Sequence, residues 1–391
     1  MINLITTMDI IWITKAKQCH QELGFNEADE VRCEEIGDGN LNDVAQLYTH
    51  DDEGNLVRSV IVKHSLPYIK CLGPGFPCSE ARTAVEYQAL VKFHTLSPGS
   101  VPTPYLYDQG IHSMFMEDLR GYKVMRTELM EGAVKMPWMS NVAIHLADIH
   151  KQTHLAVIGQ EALTTLAKQF ENTDMVTLTK QYVFTFPFLR EGTNNRCSQE
   201  IAEHLDRIYA DEQVTSTANR MLKLFLEKKE CLLHGDLHTG SIMVDAEHAR
   251  MFDVEFAFVG PASFDVGMLL ANIIFEYYRH MSIETNNDEH RQFAYLMIDA
   301  GKELVSVYLE HMTAFTGLDR ATYIENLVSE VAGFAGCEII RRLVGAAHVA
   351  DLEGMPAAQV DCLGAGVRLL QAAHRIHTVD RLLVIALMLA Y

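Results

Sequence analysis

The alternation of apolar and polar positions changes character near Gly121. Before it, VRCEEIGDGNLNDVAQLYTHDDEGNLVRSVIVKHSL (31–66) gives an apolar run, a Gly/Asn turn, a second run, a hairpin at DDEGN and a third run ending at Lys63, the marks of short antiparallel strands. SEARTAVEYQALVKFHTL (79–96) then places apolar residues at helical spacing behind Ser79 as N-cap. A Pro/Gly-punctuated connection, LSPGSVPTPYLYDQG, leads to HSMFMEDL, which reads as a closing strand. The pattern predicts a small sheet with a single helix against it. Beyond Gly121 helical periodicity takes over, in NVAIHLADIHKQTHLAVIG, ANRMLKLFLEKK, FDVGMLLANIIFEYYRHM, EHRQFAYLMIDAGKELVSVYLEHM, IENLVSEVAGFAGCEIIRRLVGAAHVADL and QVDCLGAGVRLLQAAHRI. Only SIMVDA and ARMFDVE interrupt it as two short strands around a turn. The expected class is α+β, with a β-rich lobe over residues 1–119 and a helical lobe with an embedded hairpin over residues 120–391.

Composition narrows the partners. At 391 residues, 48% hydrophobic and 21% charged, the chain is globular and long enough for two cores. Its formal charge of −20 argues against nucleic acid or an anionic membrane, since both are held by lysine and arginine. The eight cysteines contain no C-x-x-C pair, which suits reduced thiols in a cytoplasmic protein. MINLITTMDIIWITKAKQ lacks the features of a signal peptide, and LLVIALMLAY is half the length of a membrane span; a buried terminal helix is expected there.

No phosphate loop, dinucleotide fingerprint, zinc-protease motif or serine elbow occurs. The series His145, His150 and His154 spreads its rings around a helix, so an amphipathic helix is expected in place of a metal site. In HGDLHTGS (234–241), Asp236 has two readings: a base poised to take a proton from a substrate hydroxyl, or a turn former beside Gly235. Asp253 and Glu255 shift the balance. They are expected at the end of the second hairpin strand, two residues apart and on one side of an extended chain, and such carboxylates are compatible neighbours when a cation such as Mg²⁺ joins them with substrate phosphates. Lys63 and Glu86 add a strand cation with a helix carboxylate able to pair with it, and the turn at IGDGNLN brings backbone N–H groups and the Asn40 and Asn42 amides toward phosphate oxygens.

This order resembles that of the protein-kinase-like small-molecule kinases, the group that includes aminoglycoside phosphotransferases and choline kinases. EIGDGNLN, MEDL, HGDLHTGSIM, DVEFAFVGPASFDVG and FAGCEIIRRLVGAAHVADL resemble the 5-methylthioribose kinases in particular. The resemblance implies a two-lobed protein-kinase-like fold, ATP-dependent phosphorylation of the sugar's 1-hydroxyl in methionine salvage, and a cytoplasmic homodimer. It also implies Asp236 as catalytic base, Asp253 and Glu255 as Mg²⁺ ligands, Lys63 on the ATP phosphates, Glu117, Asp118 and Leu119 along the adenine, and Asn40 under the phosphate-covering turn. Ser241 stands where related kinases carry a metal-binding Asn, so Glu255 is expected to take the second metal contact. His234 is expected to brace the loop by hydrogen bonding.

The adjacent Arg341 and Arg342 are expected to point apart, one toward the substrate cleft and one toward a structural carboxylate. By resemblance at least one holds the sugar or the transferring phosphoryl group. Two other readings stay open: a kinase of another small alcohol, such as an amino sugar or choline, and an inactive nucleotide-binding scaffold on the same fold.

Overall fold

The computed structural model of the chain describes residues 6–36, 41–70, 73–285, 287–313 and 319–387. The chain divides into two compact units, Met1–Gly121 and Tyr122–Tyr391. The first holds an antiparallel sheet in the order β1-β2-β3-β5-β4, built from β1 (Arg32–Glu35), β2 (Asn42–His50), β3 (Leu56–Ser65), β4 (Pro104–Asp108) and β5 (Ser113–Glu117). The central β3 does not end at Lys63 as its apolar run suggests; it continues to Ser65, pairing His64 with Asp43 and Ser65 with Asn42.

Among the described residues this unit has three helices, not one: α1 (Thr7–Gln18), α2 (His20–Leu23) and α3 (Arg82–Leu96). A capping box starts α1, with the Thr6 hydroxyl accepting from the Asp9 N–H at 3.1 Å and the Asp9 carboxylate from the Thr6 N–H at 2.6 Å. Trp12 and Ala16 are its fully buried residues, packed with Leu47, Val60, Val62 and Phe115, while Met8 and Ile13 lie partly buried against the same core. With only two positions fully covered, the helix leaves little periodicity to read. For α3 the expected cap is displaced, because the helix begins at Arg82, behind Ala81, while the Ser79 hydroxyl accepts the Ala81 N–H at 3.2 Å.

The second unit is helical: α4 (Met125–Met130), α5 (Met136–Thr153), α6 (Leu155–Gln169), α7 (Thr173–Thr179), α8 (Gln199–Ala210), α9 (Glu212–Glu227), α10 (Ser263–Met281), α11 (Asn287–Thr313), α12 (Arg320–Val344), α13 (Pro356–Ala372) and α14 (Val379–Leu387). Two small sheets are set into it. One has the order β6-β8-β9, from β6 (Lys123–Val124), β8 (Ile242–Val244) and β9 (Ala249–Met251); the other pairs β7 (Cys231–Leu233) with β10 (Phe258–Gly260). The α+β order expected from the sequence is the one observed.

At the centre of the unit Phe184, Phe225, Phe264 and Phe334 meet at ring separations of 5.0 to 6.2 Å, within the range of favourable aromatic pairs. Helices α10 and α12 approach closely because Gly267 has no side chain; a Cβ there would lie 2.7 Å from that of Phe334. Of the terminal apolar segment, residues 382–387 belong to α14, with Leu382, Leu383, Ala386 and Leu387 buried, and residues 388–391 lie outside the described residues. No described helix is long and apolar enough to cross a membrane.

The helix expected over residues 141–159 breaks at His154, whose extended backbone (φ −69°, ψ 140°) separates α5 from α6. Its Nδ1 accepts the Ala156 N–H at 3.0 Å, so Nε2–H donates to Glu230 at 3.2 Å. Glu230 also accepts the Ala262 N–H at 3.0 Å and pairs with Lys228 at 3.2 Å, tying β7, α6 and the start of α10 together. Burial opposes its charge, but His154, Lys228 and the Ala262 N–H prevail and bring the carboxyl from its ordinary 4.5 down to about 2. The resulting stability is present above pH 4.5 and is lost as pH falls from 4.5 toward 2, at most about 3 kcal/mol. Urea unfolding across that window should give a steeper loss for the wild type than for Glu230→Gln. Parallel slopes would show that this network does not contribute to acid sensitivity.

Candidate active site

In the first unit the expected ion pair forms. Lys63 Nζ lies 2.9 Å from Glu86 Oε1, with both side chains almost fully buried, Lys63 on the central strand and Glu86 on α3. Asn42 has another task than the expected one. Its side-chain oxygen accepts from Arg82 at 2.8 and 3.1 Å and from Ser65 at 2.9 Å, so it is an internal anchor for a buried guanidinium and does not reach outward toward phosphate. Asn40 and most of the glycine turn lie outside the described residues. Glu117 ends β5 with its carboxylate on the Thr103 N–H (3.0 Å) and hydroxyl (2.7 Å); Asp118 accepts from Gln46 at 2.7 Å, and Leu119 is buried.

In the second unit β7 runs straight into the polar loop. Gly235 has φ 87°, and a Cβ would fall 2.1 Å from the Phe256 carbonyl oxygen, so the turn admits only glycine. The backbone N–H groups of His234 and Gly235 donate to the two oxygens of Asp265, at 2.7 and 3.0 Å. Asp265, the third residue of α10 and fully buried, is backed by His150 at 3.2 Å, whose other ring nitrogen meets the Tyr308 hydroxyl at 2.9 Å. His150 therefore works in a hydrogen-bonded core, and no group of three or more His, Cys, Asp or Glu side chains able to hold a metal occurs among the described residues.

His234 braces the loop, as expected. Its Nε2 donates to the Phe252 carbonyl at 3.0 Å, leaving Nδ1 to accept the Asp236 N–H at 3.3 Å; burial lowers its pKa and keeps the ring neutral. Phe252 in turn donates its N–H to the Ser241 carbonyl at 2.9 Å. The loop bearing Asp236 and the segment bearing Asp253 are thus bonded to each other from both sides of Phe252. The Ser241 hydroxyl is committed inside the loop, against the His238 N–H (3.0 Å) and the carbonyls of His238 (2.9 Å) and Asp236 (3.2 Å).

Asp236 faces His238 Nε2 at 3.6 Å and Arg341 Nη2 at 3.4 Å. Burial alone would raise its pKa; His238, Arg341 and Arg342 outweigh that and hold the carboxyl well below the usual range, so it is ionised. Asp253 and Glu255 do not share a face of an extended strand. Strand β9 stops at Met251, Asp253 takes a left-handed conformation (φ 64°), and Glu255 opens a turn, 1% exposed. The left-handed residue redirects the chain at the point where the Phe252 bonds hold it, which the alternation of residues alone does not foretell. The charges of Asp236 and Asp253 both bear on the His234 ring.

The twin arginines also depart from expectation. Both bond one carboxylate: Arg341 Nε donates to one oxygen of Glu338 and Arg342 Nε to the other at 2.7 Å. Positions i+3 and i+4 flank position i on a helix, so α12 sets Glu338 between them. Glu338 is fully buried, and the two guanidiniums overcome burial to lower its pKa. Arg341 continues to Asp236. Arg342, 9% exposed, lines a cavity of about 540 Å³ with Arg196, Ser198, His348 and Gln359. Its terminal nitrogens have no hydrogen-bond partner among the described residues. A second cavity, about 710 Å³ and lined by Ile208, Tyr277, Leu363 and Val367, includes none of the residues singled out above.

The profile of the phosphotransferase enzyme family matches residues 32–295. The chain belongs to this family. Within the family it is 32% identical over 364 residues to a methylthioribose kinase of Bacillus pumilus (strain SAFR-032), covering 91% of this chain and 89% of that protein. It is also 32% identical over 339 residues to a methylthioribose kinase of Geobacillus kaustophilus (strain HTA426), covering 85% and 83%. Among solved structures it is similar to a Plasmodium vivax ethanolamine kinase, at 12% identity and TM-score 0.47 over 97% of this chain and 87% of the other. It is likewise similar to a Cryptosporidium parvum choline kinase, at 13% identity and TM-score 0.48 over 95% and 94%.

Three residues of this candidate site have no role assigned from the sequence, although all lie within the motifs of the family resemblance. Asp265 sits in an apolar helix start, SFDVG, and Glu338 in the apolar run CEIIRR, where a lone acid among buried neighbours is the further signal. His238 shares the loop with Asp236 and shows its role only through their 3.6 Å separation. Asp265→Asn, which turns one acceptor into a donor facing a backbone N–H, should lower turnover about 100-fold and reduce unfolding free energy by about 1–3 kcal/mol, read by steady-state kinetics and urea titration. Turnover within twofold of wild type would remove Asp265 from the support of the loop.

Proposed function

We propose that this chain is a Mg²⁺- and ATP-dependent kinase that phosphorylates the 1-hydroxyl of 5-methylthioribose, giving 5-methylthioribose 1-phosphate. The observation that carries the reading is an ionised Asp236 set between His238 and Arg341, in a chain whose relatives over most of its length are methylthioribose kinases. The Asp236 carboxylate takes the proton from the 1-hydroxyl as that oxygen bonds to the γ-phosphorus and ADP departs. Arg341, fixed by Glu338, offsets negative charge where it accumulates. Lys63 contacts the ATP phosphates, and Glu117, Asp118 and Leu119 run along the adenine.

Arg342 and its cavity are assigned to the sugar. A buried guanidinium with unused donors suits hydroxyl and phosphoryl oxygens and opposes a cationic acceptor such as choline or an amino sugar. Asp253 and Glu255 supply hard carboxylate oxygens within a three-residue span, and Mg²⁺ takes one or two protein carboxylates with the rest of its shell from phosphate and water, so the donor set fits this ion. When bound it neutralises phosphate charge; Asp253 and Glu255 hold it, and Ser241, engaged within its loop, is left out. The family resemblance carries the remaining parts of the reading: methionine salvage as the setting, the cytoplasm as the compartment and a homodimer as the assembly.

Coupled ADP release with Mg²⁺-ATP should favour methylthioribose over ribose, choline and an aminoglycoside by about 100-fold or more in kcat/KM. A preference for choline or the aminoglycoside rejects the substrate while leaving the family intact. Glu255→Ala should lose turnover nearly as severely as Asp253→Ala, by about 100-fold or more; near-normal turnover of Glu255→Ala rejects its place in the metal site.

A further inference from the structure

Arg126, the second residue of α4, lies behind the catalytic loop and has no part in the chemistry described so far. Its Nη2 is 3.5 Å from His238 Nδ1 and 3.2 Å from the Asn272 side-chain oxygen, and its Nε is 3.0 Å from Asp351. Asn272 also receives the Thr239 hydroxyl at 3.2 Å and donates to the Met268 carbonyl at 3.0 Å, so the guanidinium spans from α10 to the residues flanking His238. It does so across Gly240: a Cβ there would stand 2.8 Å from Arg126 Nη1 and 3.0 Å from the His238 ring.

Arginine only donates. An N–H directed at Nδ1 requires a lone pair on that nitrogen. The ring proton is thereby placed on Nε2, the nitrogen that faces Asp236 at 3.6 Å. The far end of Arg126 rests in a buried acidic pocket. Glu276 and Asp351 are fully buried, and their carboxylate oxygens lack aligned N–H or O–H partners from other side chains. Burial first, and Asp351 second, push the Glu276 carboxyl well above its usual range, and Asp351 is the carboxylate that Arg126 meets, at 3.0 Å. Such a partner holds the half-buried Arg126 guanidinium in place.

We propose that Arg126 is a positioning residue for phosphoryl transfer, holding the His238 imidazole in the orientation and tautomer that present Nε2–H to Asp236 from an anchor on Asp351. The inference rests on Asp236 being the base. A purely structural Arg126 would serve only to neutralise the acidic pocket, which a lysine also does, whereas lysine lacks the planar fork that reaches His238 and Asp351 together.

Arg126→Lys should therefore lower kcat about tenfold or more while leaving KM for ATP and the melting temperature close to wild type. In Arg126→Ala, added guanidinium at millimolar concentration should restore part of kcat, and Gly240→Ala, which pushes the guanidinium from the ring, should reproduce the loss. Nitrogen NMR of His238 should show Nδ1 unprotonated in the wild type and a mixture of tautomers in Arg126→Lys. Wild-type kcat in Arg126→Lys, or a loss that follows the melting temperature without guanidinium rescue and with the tautomer unchanged, overturns the proposal. Asp236→Asn separates the two readings: if it keeps turnover the base assignment fails, and if it is inactive while Arg126→Lys is unaffected only the role of Arg126 fails.

Discussion

The two backbone N–H groups that donate to Asp265 are the constraint on which the rest of the site depends. A carboxylate fully inside a helical core is unfavourable unless its oxygens are satisfied, and here the donors are the first two residues of the catalytic loop, with His150 and Tyr308 behind them. The loop therefore cannot leave without stranding a buried charge. Gly235 makes the turn possible, His234 carries its rigidity to Phe252, and Phe252 carries it to the segment holding Asp253. A candidate base and a candidate metal ligand seventeen residues apart in sequence, 236 and 253, become parts of one braced structure.

Much of this was legible before any coordinates. The order of strands and helices, the Lys63–Glu86 pair and the bracing role of His234 follow from periodicity and from residue types that burial makes costly unless partnered. Other features were hidden for definite reasons. Helix α1 buries only Trp12 and Ala16 fully, so its periodicity is faint. The alternation rule that put Asp253 and Glu255 on one face assumes an unbroken strand, and a single left-handed residue voids it. Asn42 looked like a phosphate contact because its buried partner, Arg82, is forty residues away in sequence.

The twin arginines show how the chain handles cations in a protein of net charge −20. Two adjacent buried guanidiniums would repel each other, yet Glu338 receives one Nε on each oxygen and offsets them together. That arrangement pre-orients both forks before any ligand arrives, so less side-chain freedom is lost on binding. Arg126 follows the same logic with Asp351, and in both cases an acid on the far side of the arginine fixes where its remaining donors point.

The cavity beside Arg342 has a bearing on descent. Its walls come from residues 196–198, 342–343 and 348–359, whereas the candidate base, its brace and the carboxylates of the metal reading lie between 234 and 265. Substitutions in the walls leave the Asp265, His234 and Phe252 hydrogen bonds untouched. On the reading that seats the acceptor beside Arg342, a change of acceptor alcohol calls for substitutions in those walls alone, with α12, which carries Glu338 and both arginines, as the fixed joint.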